Sequence, residues 1–74
     1  MNLVIHFDPS QGYEDEALSL ARRLFAYYDE AIDSLAIIPV SGEYLDLWLD
    51  GRLIRSLLAT GCSPCVADVR EVLG

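Results

Sequence analysis

Tyr44-Leu45-Asp46-Leu47-Trp48-Leu49-Asp50-Gly51-Arg52-Leu53-Ile54-Arg55-Ser56-Leu57 is the stretch that decides the fold. Leu45, Leu47 and Leu49 alternate with Tyr44, Asp46 and Trp48, the two-residue period of a strand with one buried face. Asp50-Gly51 is a strong hairpin signal, because a tight two-residue turn needs positive φ at its central positions. Leu53 to Leu57 then returns as the antiparallel partner. The leucines are predicted to face the core, and Tyr44, Asp46 and Trp48 the opposite side of the sheet.

Working outward, Ser34-Leu35-Ala36-Ile37-Ile38-Pro39-Val40 reads as an apolar strand, and Ser41-Gly42 breaks the pattern. At the start of the chain, Leu3-Val4-Ile5-His6-Phe7 is another strand, closed by the turn-rich Asp8-Pro9-Ser10-Gln11-Gly12. Between these two strands, Tyr13 to Tyr28 contains no Gly or Pro. Ala17, Leu20, Ala21, Leu24, Phe25 and Tyr28 recur at three- and four-residue steps, which predicts an amphipathic helix with one buried stripe. Glu14, Asp15 and Glu16 fall in its first turn, where negative charge suits the helix dipole, so that cluster reads as a solvated helix start. A strand, a helix and a second strand make a βαβ unit with parallel strands. After the hairpin, the spacing predicts a final helix from Ser63 to Leu73 with Val66, Val69, Val72 and Leu73 on its inner face. The order βαβ-ββα gives an α/β (α+β, two-layer) fold: one domain over residues 1–74, a four-stranded mixed sheet, and both helices on one face.

Charge and composition narrow the function. Twelve acidic against five basic residues give a net charge of −7, which argues against nucleic acid and against anionic membrane surfaces. The apolar share of 53% is enough for a compact core. No window approaches the ~20 apolar residues of a membrane span, and the first residues lack the basic leader of a secretory signal. A cytoplasmic setting is expected, in which thiols stay mostly reduced and a close cysteine pair points to redox or metal chemistry rather than a staple.

Both cysteines lie in Gly61-Cys62-Ser63-Pro64-Cys65, at the predicted mouth of the last helix. Two thiols at that spacing can close a small disulfide ring. Orphan amides at a helix start favour negative charge, and the thiolate is the reactive form of a cysteine. A resident metal is not expected, since structural zinc wants four ligands and one chain offers this pair and a distant His6. A dimer could supply an all-thiolate set by joining two pairs. His6 reads as a structural residue, with Asp46 as a cross-strand partner if the register allows it. On the uncovered sheet face, Tyr44 and Trp48 are candidate partner-binding residues, for another protein or for a second copy of the chain.

Ile38-Pro39 followed by Gly42-Glu43-Tyr44-Leu45-Asp46-Leu47-Trp48-Leu49-Asp50-Gly51-Arg52-Leu53-Ile54-Arg55-Ser56 resembles the selenoprotein W-like (Rdx) family of thioredoxin-like proteins. A Gly-x-x-Pro step into the last helix, Gly61-Cys62-Ser63-Pro64, adds to that likeness. The resemblance implies a thioredoxin-like fold and a thiol-disulfide redox site in the loop after the first strand. Here that loop reads Asp8-Pro9-Ser10-Gln11 and has no sulfur. The dithiol Cys62-Ser63-Pro64-Cys65 is instead similar to the Cys-Gly-Pro-Cys of thioredoxins, which also opens a helix. Carried over by motif, Cys62 is the attacking thiol and Cys65 the resolving one, with Pro64 in the first helical turn and a protein or small thiol/disulfide as partner. Thioredoxin-like proteins often place a cis proline opposite their dithiol. Pro39 is the candidate, but it stands several residues ahead of the third strand, which favours trans. Two readings of different class follow: a small thiol-disulfide oxidoreductase needing no cofactor, or an interaction module that has lost the family's redox site and binds through the open sheet face.

Overall fold

The computed structural model describes residues 1–74. Leu3, Ile5 and Phe7 bury alternate positions of β1 (Asn2–Phe7), the central strand of the apolar N-terminal run. α1 (Glu14–Tyr28) presents Ala17, Leu20, Ala21 and Leu24 to them, a stripe at helical spacing. β2 (Ser34–Pro39) pairs parallel with β1. β3 (Leu45–Leu49) pairs antiparallel with the other side of β1, and β4 (Arg52–Ser56) antiparallel with β3. The strand order is therefore β2-β1-β3-β4, a mixed sheet with β2 and β4 at its edges. Asp50 and Gly51 both have positive φ, 49° and 82°, as the two-residue turn requires.

The core is the helix-side face of that sheet. Leu45, Leu47 and Leu49 are all buried beneath the helices, as the alternation predicts. Val69 from the last helix completes an eleven-residue cluster with the β1, β3 and α1 side chains. Each fully buried Leu or Ile contributes about 1.5–3 kcal/mol of transfer free energy, so this face is where the chain commits to its topology. The two-layer α/β architecture with both long helices on one face is the one the sequence predicts.

Four details differ from the sequence reading. Leu57 does not extend the return strand. It starts a single-turn helix α2 (Leu57–Thr60), capped by the Ser56 hydroxyl and stopped by Gly61 in the left-handed region at φ 74°. The last helix α3 (Val66–Leu73) begins three residues later than Ser63. Its inner face is also shorter: Val69 is buried and Val66 packs on the margin of the core, but Val72 and Leu73 in the last turn are largely exposed. Phe25 lies half-exposed, because its neighbour Leu24 already occupies the centre of the stripe and Phe25 turns about 100° away from it.

Candidate functional site

The dithiol loop is built from both ends. Downstream, Cys65 is the N-cap of α3, in extended conformation. The Asp68 carboxylate reaches back to accept the Cys65 N–H at 2.8 Å, and the Asp68 amide donates to the Cys65 carbonyl at 3.1 Å. With the Cys65 sulfur in turn facing the Asp68 N–H, the two residues form a capping box in which a thiol stands where Ser or Thr usually does. Upstream, the Thr60 hydroxyl donates to the Ser56 carbonyl at 2.7 Å and accepts the Cys62 N–H at 3.2 Å. Both thiols are free and exposed.

The expected placement is thereby corrected. Cys62, expected at or just before the helix cap, lies three residues ahead of it, in the turn that leaves α2. Cys65 is not inside the first helical turn but is itself the cap, and Pro64 precedes the helix rather than entering it. The physical reason is the Asp68 side chain. By closing on the Cys65 amide it fixes the helix start there, so the converging amides of α3 meet Cys65 and not Cys62.

A charged pair stands beside this loop. Arg55 of β4 donates to Asp68 Oδ1 twice, from Nε at 3.0 Å and Nη2 at 2.7 Å. Burial, the largest single influence on Asp68, pushes its carboxyl upward. The hydrogen bonds from Arg55 and from the Cys65 amide and thiol, with the Arg55 charge, outweigh it and hold Asp68 below the usual carboxylate range. The same hydrogen bonds and charge raise Arg55, with Cys62 and Glu71 close enough to add smaller contributions. Asp68 thus straps β4 to the dithiol loop.

The loop after β1 is a different kind of structure. Asp8 is buried and caps a 3-10 turn, Pro9–Gln11. Its carboxylate accepts from the Ser10 N–H and hydroxyl at 2.9 and 2.7 Å, and from the Gly42 and Glu43 N–H groups at 3.1 and 2.8 Å. The Glu43 amide, then the Ser10 hydroxyl and amide, bring the Asp8 carboxyl down to about 2 against its burial, with Gly42 adding to the same direction. Every peptide bond is trans, Pro39 included.

On the uncovered sheet face, β1 and β3 bring His6 opposite Asp46 and Val4 opposite Trp48. Val4, His6, Ile38, Trp48 and Gly51 line a shallow cleft of about 340 Å³. The His6 and Trp48 rings are tilted with centroids 5.8 Å apart. Asp46 is not exposed as the alternation suggests; it is 5% accessible, and its Oδ1 and the Trp48 Nε1 are buried without a hydrogen-bond partner. Tyr44 is separated from this cleft. Its ring lies over Gly42, where a glycine leaves room for it. Of the two expected contact residues, only Trp48 lines the cleft.

No protein-family model and no curated protein matches the chain. Solved structures do. A selenoprotein W-related protein from Vibrio cholerae is similar with a TM-score of 0.87 and 18% identity, covering 99% of this chain and 96% of its own. A Bordetella parapertussis protein is similar with a TM-score of 0.84 and 14% identity, covering 97% of this chain and 91% of its own. At these identities the likeness carries the fold: the chain has the thioredoxin-like architecture of a selenoprotein W-related structure. No helix is long and apolar enough to cross a membrane.

Proposed function

We propose that the chain is a small thiol-disulfide exchange protein of the selenoprotein W-like type, with its reactive element moved to Cys62-Ser63-Pro64-Cys65. The observation that supports this is the pairing of two free, exposed thiols in one short loop. That loop is fastened at Cys62 through Thr60 and at Cys65 through Asp68. Cys62 keeps the attacking role and Cys65 the resolving one. The Asp68 carboxylate holds Cys65 by its amide, and Cys62 is close enough to Arg55 for a thiolate there to raise the guanidinium. In the first step the Cys62 thiolate bonds to one sulfur of a substrate disulfide and the other leaves as a thiolate. In the second, Cys65 gives up its proton and attacks Cys62, releasing the remaining thiol and closing a Cys62–Cys65 disulfide. A cytoplasmic dithiol would return the pair to its reduced form. Cys65→Ser should trap a mixed disulfide on Cys62, and the wild-type chain should oxidise by two electrons without accumulating one. Persistent mixed disulfides on the wild-type chain would refute the exchange cycle.

A second reading rests on the open sheet face, where a buried indole N–H and a carboxylate oxygen stay unpaired beside an apolar cleft. Such groups are costly until something satisfies them, which suits a face that binds another protein or a second copy of the chain. Sedimentation and partner binding should then be lost in Trp48→Asp and kept in Cys62→Ser/Cys65→Ser, the opposite of the pattern expected for exchange.

A further inference from the structure

Arg55 has five N–H donors in a planar fork, and Asp68 Oδ1 engages only two of them. The rest find no acceptor within the chain, and the side chain keeps 30% of its surface accessible. Asp68 is 6% accessible and strapped to the Cys65 amide, so the guanidinium is held in place instead of wandering with solvent. Its location is set twice over. Asp68 links it to Cys65, and the Thr60 hydroxyl hangs Cys62 from the carbonyl of Ser56, the next residue along β4. A fixed cation with unspent donors therefore stands one carboxylate away from the Cys65 amide and within electrostatic reach of Cys62, in a chain whose net charge is −7.

Resting on the exchange reading, we propose that Arg55 is a specificity-determining residue that docks an anionic group, a carboxylate above all, of the disulfide presented to Cys62. Planar carboxylates match the free edge of a guanidinium. Without such an anchor, an acidic chain repels an anionic reactant. Asp68 and Glu71 offset part of the Arg55 charge, so the effect is local and modest. The chemistry is unchanged: the Cys62–sulfur bond forms as the disulfide breaks, and the leaving half carries away the electron pair as a thiolate.

The test compares two disulfide probes on the reduced full chain: dithiobis(nitrobenzoate), which carries a carboxylate on each ring, and neutral dithiodipyridine. The readout is the ratio of their rates at Cys62 in a Cys65→Ser background, divided by the same ratio for a small free thiol. Arg55→Gln should lower this ratio about threefold through the anionic probe alone. Arg55→Lys should retain most of it, and Arg52→Gln, which changes net charge equally at the far end of β4, should leave it unchanged. Equal ratios in Arg55→Gln and wild type, or an equal loss in Arg52→Gln, would overturn the proposal. Should Arg55→Gln fail to fold, the wild-type ratio still decides. A value near or above that of the free thiol is expected, and one several-fold below it overturns the anchor. Failure of the exchange reading shows separately, as absence of a Cys62–Cys65 disulfide, since single-thiol rates do not depend on Cys65.

Discussion

Replacing Asp68 by Ala should cost about 2–3 kcal/mol, because three hydrogen bonds converge on a side chain that is almost fully buried. About 1 kcal/mol of this is the lost capping interaction with the Cys65 N–H. The remainder is the charged pairing, and it stays well short of the cost of stranding a buried ion because Arg55 can turn its fork to water. A chain of 74 residues holds about 4–11 kcal/mol against unfolding at the usual density per residue, so the loss is a large share. Urea unfolding followed by Trp48 fluorescence reads it directly, since Trp48 is the only tryptophan. With a slope of about 1 kcal/mol/M for a small domain, the midpoint should fall by about 2–3 M. Asp68→Asn keeps an oxygen for the Cys65 amide but loses the charge, and should fall between. Acid adds a check of sign. Asp68 is held below its ordinary range when folded, so its contribution is present above the unfolded carboxylate value and disappears as pH falls through the folded one. The gap between wild type and Asp68→Asn should therefore close on acidification. A midpoint shift under about 0.5 M for Asp68→Ala would refute the reasoning, by showing that water replaces the strap at no cost.

Two further outcomes follow from the loop after β1 and its contacts. Asp8 titrates at about 2 in the folded chain because the Glu43 and Ser10 donors, with Gly42, hold it ionised. Stability that wild type has over Asp8→Asn should thus persist to lower pH than an ordinary carboxylate allows and vanish only near pH 2, as followed by circular dichroism through an acid titration. Gly42 sits at φ 121°, and a Cβ there would come within 2.5 Å of the Tyr44 ring. Tyr44 is exposed enough to swing aside, so Gly42→Ala should cost about 1–3 kcal/mol, chiefly from the backbone. Unchanged urea midpoints would show that the turn relaxes to a conformation alanine accepts.

The hairpin and the βαβ unit were legible because each is written by a local period. Leu45, Leu47 and Leu49 could face only one way, and Asp50-Gly51 could hardly be anything but a turn. The dithiol loop was less legible, although its signals were present. Ser56 and Gly61 bracket Leu57–Thr60 as an N-cap and a C-terminal glycine bracket a helix, but the apolar return strand ran past Ser56 without a break in pattern. Cys65-Val66-Ala67-Asp68 has the spacing of a capping box. Cysteine rarely fills the first place of that box, and Pro64 looked like the usual proline of a first helical turn. The strap from Arg55 could not be read at all, since it joins residues thirteen apart across a strand and a helix. Nor could the burial of Asp46, which lies between His6 of β1 and Ser56 of β4 in the assembled sheet and is not set by its own place in the alternation.

The two loops that carry the functional question differ in how their polar groups are spent. After β1, one carboxylate takes four hydrogen bonds, ties Asp8 and Ser10 to Gly42 and Glu43, and engages the Ser10 hydroxyl as one of its donors. Chemistry there would have to break a closed network before it could begin. Between α2 and α3 the side-chain bonds fall on the ends: Thr60 holds Cys62, Asp68 holds Cys65, and the residues between them make only a 3.5 Å contact from Ser63 to Glu16. Pro64 between the two cysteines is buried with its φ fixed by its ring, so this loop is held at Cys62, at Pro64 and at Cys65. Closing a Cys62–Cys65 ring without strain needs Cα atoms within about 7 Å of each other, which is what the exchange reading requires of this loop. On the proposed reading, exchange belongs to the loop that carries the two free, exposed thiols, while the densely bonded loop ties the end of β1 to the connection between β2 and β3.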